Sequence, residues 1–156
     1  MKAVDELKQR RLFVVDPIKK AIDKKTGLKS DKVVHFSEGL PAFEEVKDFV
    51  LINNKEEAPF LWIQAVSMPE LAFVAIDPFL ICPDYRPEIT ETDLKSLKVN
   101  KKEDVLILSI VNMKDHKAKC ITTNLVGVIL INWKEKLGKQ AIIKNHQSYS
   151  IKYAVN

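Results

Sequence analysis

Pairs of neighbouring carboxylates, such as Glu44-Glu45, Glu56-Glu57 and Glu103-Asp104, are the residues in this sequence that most directly suggest chemistry. Two carboxylates that face each other can work as general acid and general base. Neighbours along a strand point to opposite faces of a sheet, however, and adjacent acids are typical of a solvated surface. The pairs therefore predict surface charge and do not predict an acid–base site.

Cysteine, histidine and glycine are too sparse to build the other common sites. Cys82 and Cys120 form no CxxC pair, which favours two reduced thiols over a metal centre or a disulfide. His35, His116 and His146 stand singly, without metal-ligand spacing. The four glycines are isolated, so the sequence contains neither a Gly-rich phosphate-binding loop nor a dinucleotide-binding fingerprint. The sequence predicts a protein with no catalytic residues, no metal and no cofactor.

A chain of 156 residues has room for one domain and a short appendage. Its longest apolar run lies around residues 126–133. That run is far shorter than the roughly 20 residues needed to span a bilayer. The opening residues lack the apolar stretch of a signal peptide. We therefore expect a cytoplasmic protein that makes no membrane contact.

Charge is divided unevenly along the chain. Residues 1–35 carry ten Lys/Arg and five Asp/Glu, residues 36–93 carry three and twelve, and residues 94–156 carry twelve and four. We interpret residues 1–31 as a basic, partly ordered N-terminal extension and residues 32–156 as the folded domain. An acidic surface from the middle segment would attract a basic partner. Ordinary solvated faces are the alternative explanation.

Short segments rich in β-branched and aromatic residues recur at intervals of roughly ten residues, with proline and glycine turns between them. This spacing predicts an all-β fold, a small antiparallel β-barrel-like domain with one or two short helices. One helix is expected over residues 90–97, capped by Thr90, and a second after Asp16-Pro17. The predicted strands cover residues 11–16, 32–36, 48–52, 60–66, 71–77, 104–111, 119–125, 126–132, 140–144 and 148–153.

Two lysine runs raise the alternative of a small-barrel nucleic-acid-binding protein. Lys95, Lys98, Lys101 and Lys102 form one run, and residues 114–119 contain the other. Aromatic side chains among such lysines would form a stacking surface for single strands. Most aromatic residues instead gather in the acidic middle of the chain. The sequence therefore favours a protein partner over direct binding of nucleic acid.

A series of short motifs resembles the FliW family of flagellar assembly factors. The matches occur in the family's order and together cover about residues 32–153. Two departures stand out, since Ala42 occupies the place of a usual second turn glycine and Val128 that of a usual proline. If that glycine takes a positive φ, alanine is strained there. The matching motifs are FSEGLPAFE at 36–44, PFLWIQ at 59–64, LAFV at 71–74, DP at 77–78, PDY at 83–85, TTNL at 122–125, VILIN at 128–132 and GKQAII at 138–143.

The resemblance implies a non-catalytic regulator with two protein partners. FliW proteins bind flagellin and also CsrA, an RNA-binding dimer that represses flagellin translation, and so couple flagellin synthesis to filament assembly. We expect this chain to be a monomer when free and to bind both partners. Partner contacts are expected from Glu44, Glu45, Asp77, Pro78, Tyr85, Asn124 and Asn132. The positions expected to shape the structural motif are Phe36, Gly39, Pro41, Phe43 and Gln140.

Overall fold

A computed structural model describes residues 33–53, 55–113 and 121–155 of the chain. Strands dominate these residues, with two short α-helices and three single turns of 3-10 helix between them. The strands are β1 Val33–His35, β2 Asp48–Ile52, β3 Phe60–Ala65, β4 Ala72–Ile76, β5 Val105–Asn112, β6 Thr122–Thr123, β7 Gly127–Asn132, β8 Leu137–Ile142 and β9 Tyr153–Ala154. The helices are α1 Pro78–Ile81 and α2 Glu91–Ser96, and the 3-10 turns are Lys55–Glu57, Lys102–Asp104 and His146–Ser148.

Seven of the strands close into a barrel. In the order β4, β3, β2, β1, β8, β7 and β5 each strand pairs with the next, and β5 pairs again with β4. The pairings are antiparallel except that of β1 with β8, which is parallel and joins His35 to Leu137. Strand β6 pairs with the last two residues of β5, and β9 pairs with β6. The predicted all-β barrel is therefore confirmed, and the parallel join is a feature that the sequence did not reveal.

The barrel interior is filled by alternate side chains of its strands. Phe36 and Phe49 are fully buried, and their rings meet edge to face with centroids 5.2 Å apart. A second buried cluster, which includes Tyr85 and Leu97, lies between α2, β7 and β8. Each fully buried large apolar side chain contributes about 1.5–3 kcal/mol to the free energy of unfolding. These clusters hold the turns around the barrel in fixed positions.

Several predicted elements differ in length from those in the structure. Strand β2 and helix α2 match, and Thr90 caps α2 by accepting a hydrogen bond from the Asp93 amide at 3.1 Å. Of the described residues in the segment predicted as a strand at 119–125, only Thr122 and Thr123 form a strand. The segment predicted at 148–153 contributes only Tyr153, because turns occupy much of the rest. Helix α1 was not predicted. The predicted strand 11–16, the helix after Asp16-Pro17 and the N-terminal extension lie outside the described residues.

Candidate protein-binding groove

A groove opens on the surface where the turn after β1 faces the last residues of β8. Its volume is about 350 Å³, and one wall comes from Glu38, Gly39, Pro41 and Glu44. The other wall comes from Asn124, Val126, Gly127, Gln140, Ile142 and Ile151. This volume is near the lower limit of ligand clefts, which span about 300–1,000 Å³. Five residues that the sequence motifs singled out at distant positions meet in this groove: Gly39, Pro41, Glu44, Asn124 and Gln140.

The first wall is a tight turn that only glycine allows to close. Gly39 has φ +66°, and a Cβ atom there would lie 2.6 Å from the backbone of Glu44. Ala42 also has a positive φ of 71°, which confirms the strain expected from alanine at that position. The Ala42 amide donates to the Glu44 carboxylate at 3.2 Å. Glu44 is thereby oriented at the rim while it stays exposed to solvent.

Two amide side chains build the second wall. Asn124 Oδ1 accepts hydrogen bonds from the amides of Val126 and Gly127, both at 2.9 Å, and so shapes the turn into β7. Gln140 Nε2 donates to the Gly127 carbonyl at 3.1 Å and ties β8 to that turn. Both side chains are partly exposed. Asn124 and Gln140 therefore fix the wall while part of each amide still faces the groove.

Two isoleucines supply an apolar surface inside this polar frame. Ile142 is 62% exposed and Ile151 is 60% exposed. Apolar side chains set close together and rimmed by polar groups are typical of a surface that a partner covers. Sequence reasoning missed both residues. The signal for Ile142 was available, since alternation along β8 puts it outward when Ala141 is buried. No local pattern points to Ile151.

The rim of the groove is negatively charged. Glu38 and Glu44 are both exposed. The Lys139 ammonium lies 2.7 Å from Asp93 but 3.9 Å from Glu38. Because Lys139 is paired mainly with Asp93, it leaves the rim acidic. The groove thus suits a segment that presents an apolar side chain beside a basic one.

Two of the residues expected to contact a partner lie inside the fold. Tyr85 is fully buried, and its hydroxyl donates to the Leu125 carbonyl at 2.6 Å. Burial raises the pKa of Tyr85, and nearby Tyr149 and Cys82 add to that increase. Asn132 is 1% exposed and donates to the Leu97 carbonyl at 2.7 Å. As placed here, these side chains have no surface to offer a partner.

The other expected contacts lie outside the groove lining. Asp77 caps α1 by accepting a hydrogen bond from the Phe79 amide at 2.9 Å, and Pro78 is buried at the first turn of that helix. Glu45 is exposed next to the rim. Among the structural motif residues, Phe36 packs in the barrel and Phe43 meets Phe73 edge to face at 5.8 Å.

Among the described residues, no three His, Cys, Asp or Glu side chains come together in a way that could hold a metal ion. None of the helices that the structure describes is long and apolar enough to cross a membrane.

The architecture defines this chain as a small seven-stranded β-barrel protein with an open surface groove. The family model described as "FliW protein" matches residues 17–155, and the chain belongs to the FliW family. It is 40% identical over 126 residues to the flagellar assembly factor FliW of Thermoanaerobacter pseudethanolicus, covering 80% of this chain and 83% of the relative. It is 38% identical over 124 residues to the Clostridium tetani protein of the same name, covering 79% and 83%. A crystal structure of the flagellar assembly factor FliW superposes with a TM-score of 0.74 at 32% identity, over 83% of this chain and 89% of the other.

Proposed function

We propose that this protein is a cytoplasmic flagellar assembly factor that binds two proteins, flagellin and the translational regulator CsrA. Relatives that are 40% and 38% identical to this chain are named flagellar assembly factors. In this proposal CsrA is held when little flagellin is free, and flagellin synthesis then resumes. One protein can act in this way without a catalytic step, because each partner only shifts a binding equilibrium.

The observation that carries the proposal is the convergence of the family-like motifs on one groove. Glu38 and Glu44 place negative charge at its rim, and Ile142 and Ile151 place apolar surface between them. A basic partner such as CsrA would be attracted by the rim charges and anchored by the isoleucines. We therefore assign CsrA contact to the groove.

The test is calorimetric titration of the purified protein with CsrA and, separately, with monomeric flagellin from the same organism. Reversing both rim charges, Glu38→Lys with Glu44→Lys, should weaken CsrA binding roughly tenfold at low salt and less at high salt. Ile142→Ser should weaken it at every salt concentration, because that change removes apolar contact.

The matched control is Glu103→Lys with Glu135→Lys, which reverses two charges at exposed turns away from the groove. It should leave CsrA binding unchanged. Equal losses in the control and the rim variants would mean that net charge matters and the groove does not. Absence of binding to both partners by the unaltered protein would refute the proposed function itself.

A further inference from the structure

At the opposite end of the β7–β8 hairpin from the groove, one tryptophan lies among lysines. Trp133 follows the last residue of β7 and is 41% exposed. Its amide donates to the Asp104 carbonyl, which brings it next to the 3-10 turn Lys102–Asp104. On the sequence this tryptophan stands far from the lysine run of residues 95–102, and the fold brings the two together.

The contacts around Asn132 define the patch. Asn132 donates to the carbonyls of Leu97 and Lys98, so the end of α2 is fastened to the start of the β7–β8 turn. The Lys136 ammonium lies 4.4 Å from the centroid of the Trp133 ring. We call the following residues the Trp133 patch: Trp133, Lys95, Lys98, Lys101, Lys102, Lys134 and Lys136.

The patch carries an excess of positive charge. Its acidic neighbours are Glu103, Asp104 and Glu135, and Asp104 is paired with Lys134 at 3.2 Å. Lys95, Lys98, Lys101 and Lys102 are exposed at the end of α2 and in the turn after it. Positive groups on flexible stems beside an exposed aromatic ring are the combination that binds single-stranded nucleic acid, since the lysines contact phosphates and a base stacks on the ring.

We propose that the Trp133 patch binds single-stranded RNA weakly and without sequence preference. Only a few lysines can reach one strand at a time, so the affinity should lie in the range of non-specific complexes, with Kd about 10⁻⁴–10⁻⁶ M at physiological salt. The patch is separate from the groove. RNA on the patch and a protein in the groove can therefore be bound by the same molecule.

The experiment is titration of the full chain with a short oligouridylate of about ten nucleotides, followed by tryptophan fluorescence. Trp133 is exposed, whereas Trp62 is 5% exposed and donates to Glu57 at 3.1 Å, so quenching should come from Trp133. Trp133→Phe should remove most of the quenching. Trp133→Ala should weaken binding about fivefold or more, because stacking is lost.

Salt dependence tests the lysines. Lys98→Gln with Lys101→Gln should lower the slope of log K against log salt by about 1.4, since each of the two lost single-strand phosphate contacts contributes roughly 0.7. Lys152→Gln with Lys144→Gln is the matched control, because both residues are exposed and lie outside the patch. The control pair should leave the slope unchanged.

Three results would overturn the proposal. One is the absence of Trp133 quenching at about 50 mM salt and millimolar oligouridylate. Another is full affinity in a variant that combines Trp133→Ala with the two lysine changes, which would place RNA elsewhere, for instance on the basic N-terminal residues. The third is equal binding of an acidic peptide of the same length, which would make the patch a docking surface for acidic proteins. All three readouts omit CsrA and flagellin, so they are independent of the proposed function.

Discussion

The two ends of the β7–β8 hairpin have opposite surfaces. Gly127 pairs with Ile142 at the groove end, where the rim is acidic and two isoleucines are exposed. Asn132 pairs with Leu137 at the other end, beside an exposed tryptophan and a group of lysines. The two pairs are five steps apart in register, about 17 Å along a strand. One hairpin thus carries two chemically different surfaces, one at each end.

An asparagine next to each end shows how the two surfaces are supported. Asn124 caps the turn into β7 and stays partly exposed, whereas Asn132 caps the turn out of β7 and is buried. The groove end is therefore held by a side chain that can also meet a partner. The Trp133 end is held by one that serves only the fold. We therefore expect the groove end to adjust to a bound partner more readily than the Trp133 end.

The largest expected effect concerns these two asparagines. Asn132→Ala removes two donated bonds to Leu97 and Lys98 and two accepted bonds from the amides of Lys134 and Glu135. Because part of this network is buried, we expect a loss of about 3 kcal/mol in the free energy of unfolding.

Asn124→Ala at the groove end should cost only about 1 kcal/mol, since water can replace the lost oxygen at a partly exposed turn. Urea unfolding of the two variants in parallel measures the difference. Equal losses of unfolding free energy in the two variants would show that the two asparagines support the two ends of the hairpin equally.

Alkaline pH should lower the free energy of unfolding through Tyr85. Its pKa in the folded protein is raised by burial, so folding favours the protonated phenol. The unfolded chain loses this proton at a pH of roughly 10. Stability from this group is therefore complete below that pH and is lost as pH rises through and above it.

Comparison with Tyr85→Phe isolates this effect, because the variant keeps the ring but lacks the titrating hydroxyl. The unfolding free energy of the unaltered protein should fall more steeply than that of the variant when urea titrations at about pH 8 and about pH 10.5 are compared. Parallel slopes would show that ionisation of Tyr85 does not lower the free energy of unfolding at alkaline pH.

The smallest expected effect is a gain. Ala42 has φ 71°, a conformation that costs a residue with a Cβ atom roughly 1 kcal/mol relative to glycine. Ala42→Gly should stabilise the groove wall by about that amount, reduced somewhat by the greater freedom of glycine in the unfolded chain. Thermal unfolding measures the gain. Lys136→Gly, at φ 56° in the other turn, is the comparison, and there the relief of strain is offset by loss of the contact with Trp133.

The elements that were predicted correctly are those determined by residues close together in the sequence. Strand β2 follows from a short run of β-branched, aromatic and other apolar residues, and α2 follows from Thr90 as a cap with acids in the first turn. Helix α1 has only four residues, too few for helical periodicity, although Asp77-Pro78 is a typical helix start. Strands β6 and β9 were predicted too long, since apolar residues there pack under turns.

The groove was predictable only in part. Glu44, Asn124 and Gln140 were singled out by motif resemblance, but nothing local shows that they face one another across the turn and β8. Ile151 and Trp133 could not be recognised from the sequence, because the residues around each of them in the fold are distant in the chain. Tyr85 was expected to contact a partner because it follows Pro83 in a predicted loop, and Asn132 because an asparagine that ends a strand can offer its amide to a docked segment. Hydrogen bonding inside the fold accounts for both side chains instead.

The parallel join between β1 and β8 bears on the order in which the barrel assembles. Its two strands lie far apart in sequence, since β1 is the first described strand and β8 the last but one. They share one register pair, His35 with Leu137, supported by the bond from the His35 amide to the Lys136 carbonyl. Pairing β1 with β8 closes a large loop, and these few contacts do not offset the entropy lost on closure until the other strands have paired. We expect the antiparallel hairpins to form first and this seam to close last. By the same reasoning it should open first, ahead of global unfolding.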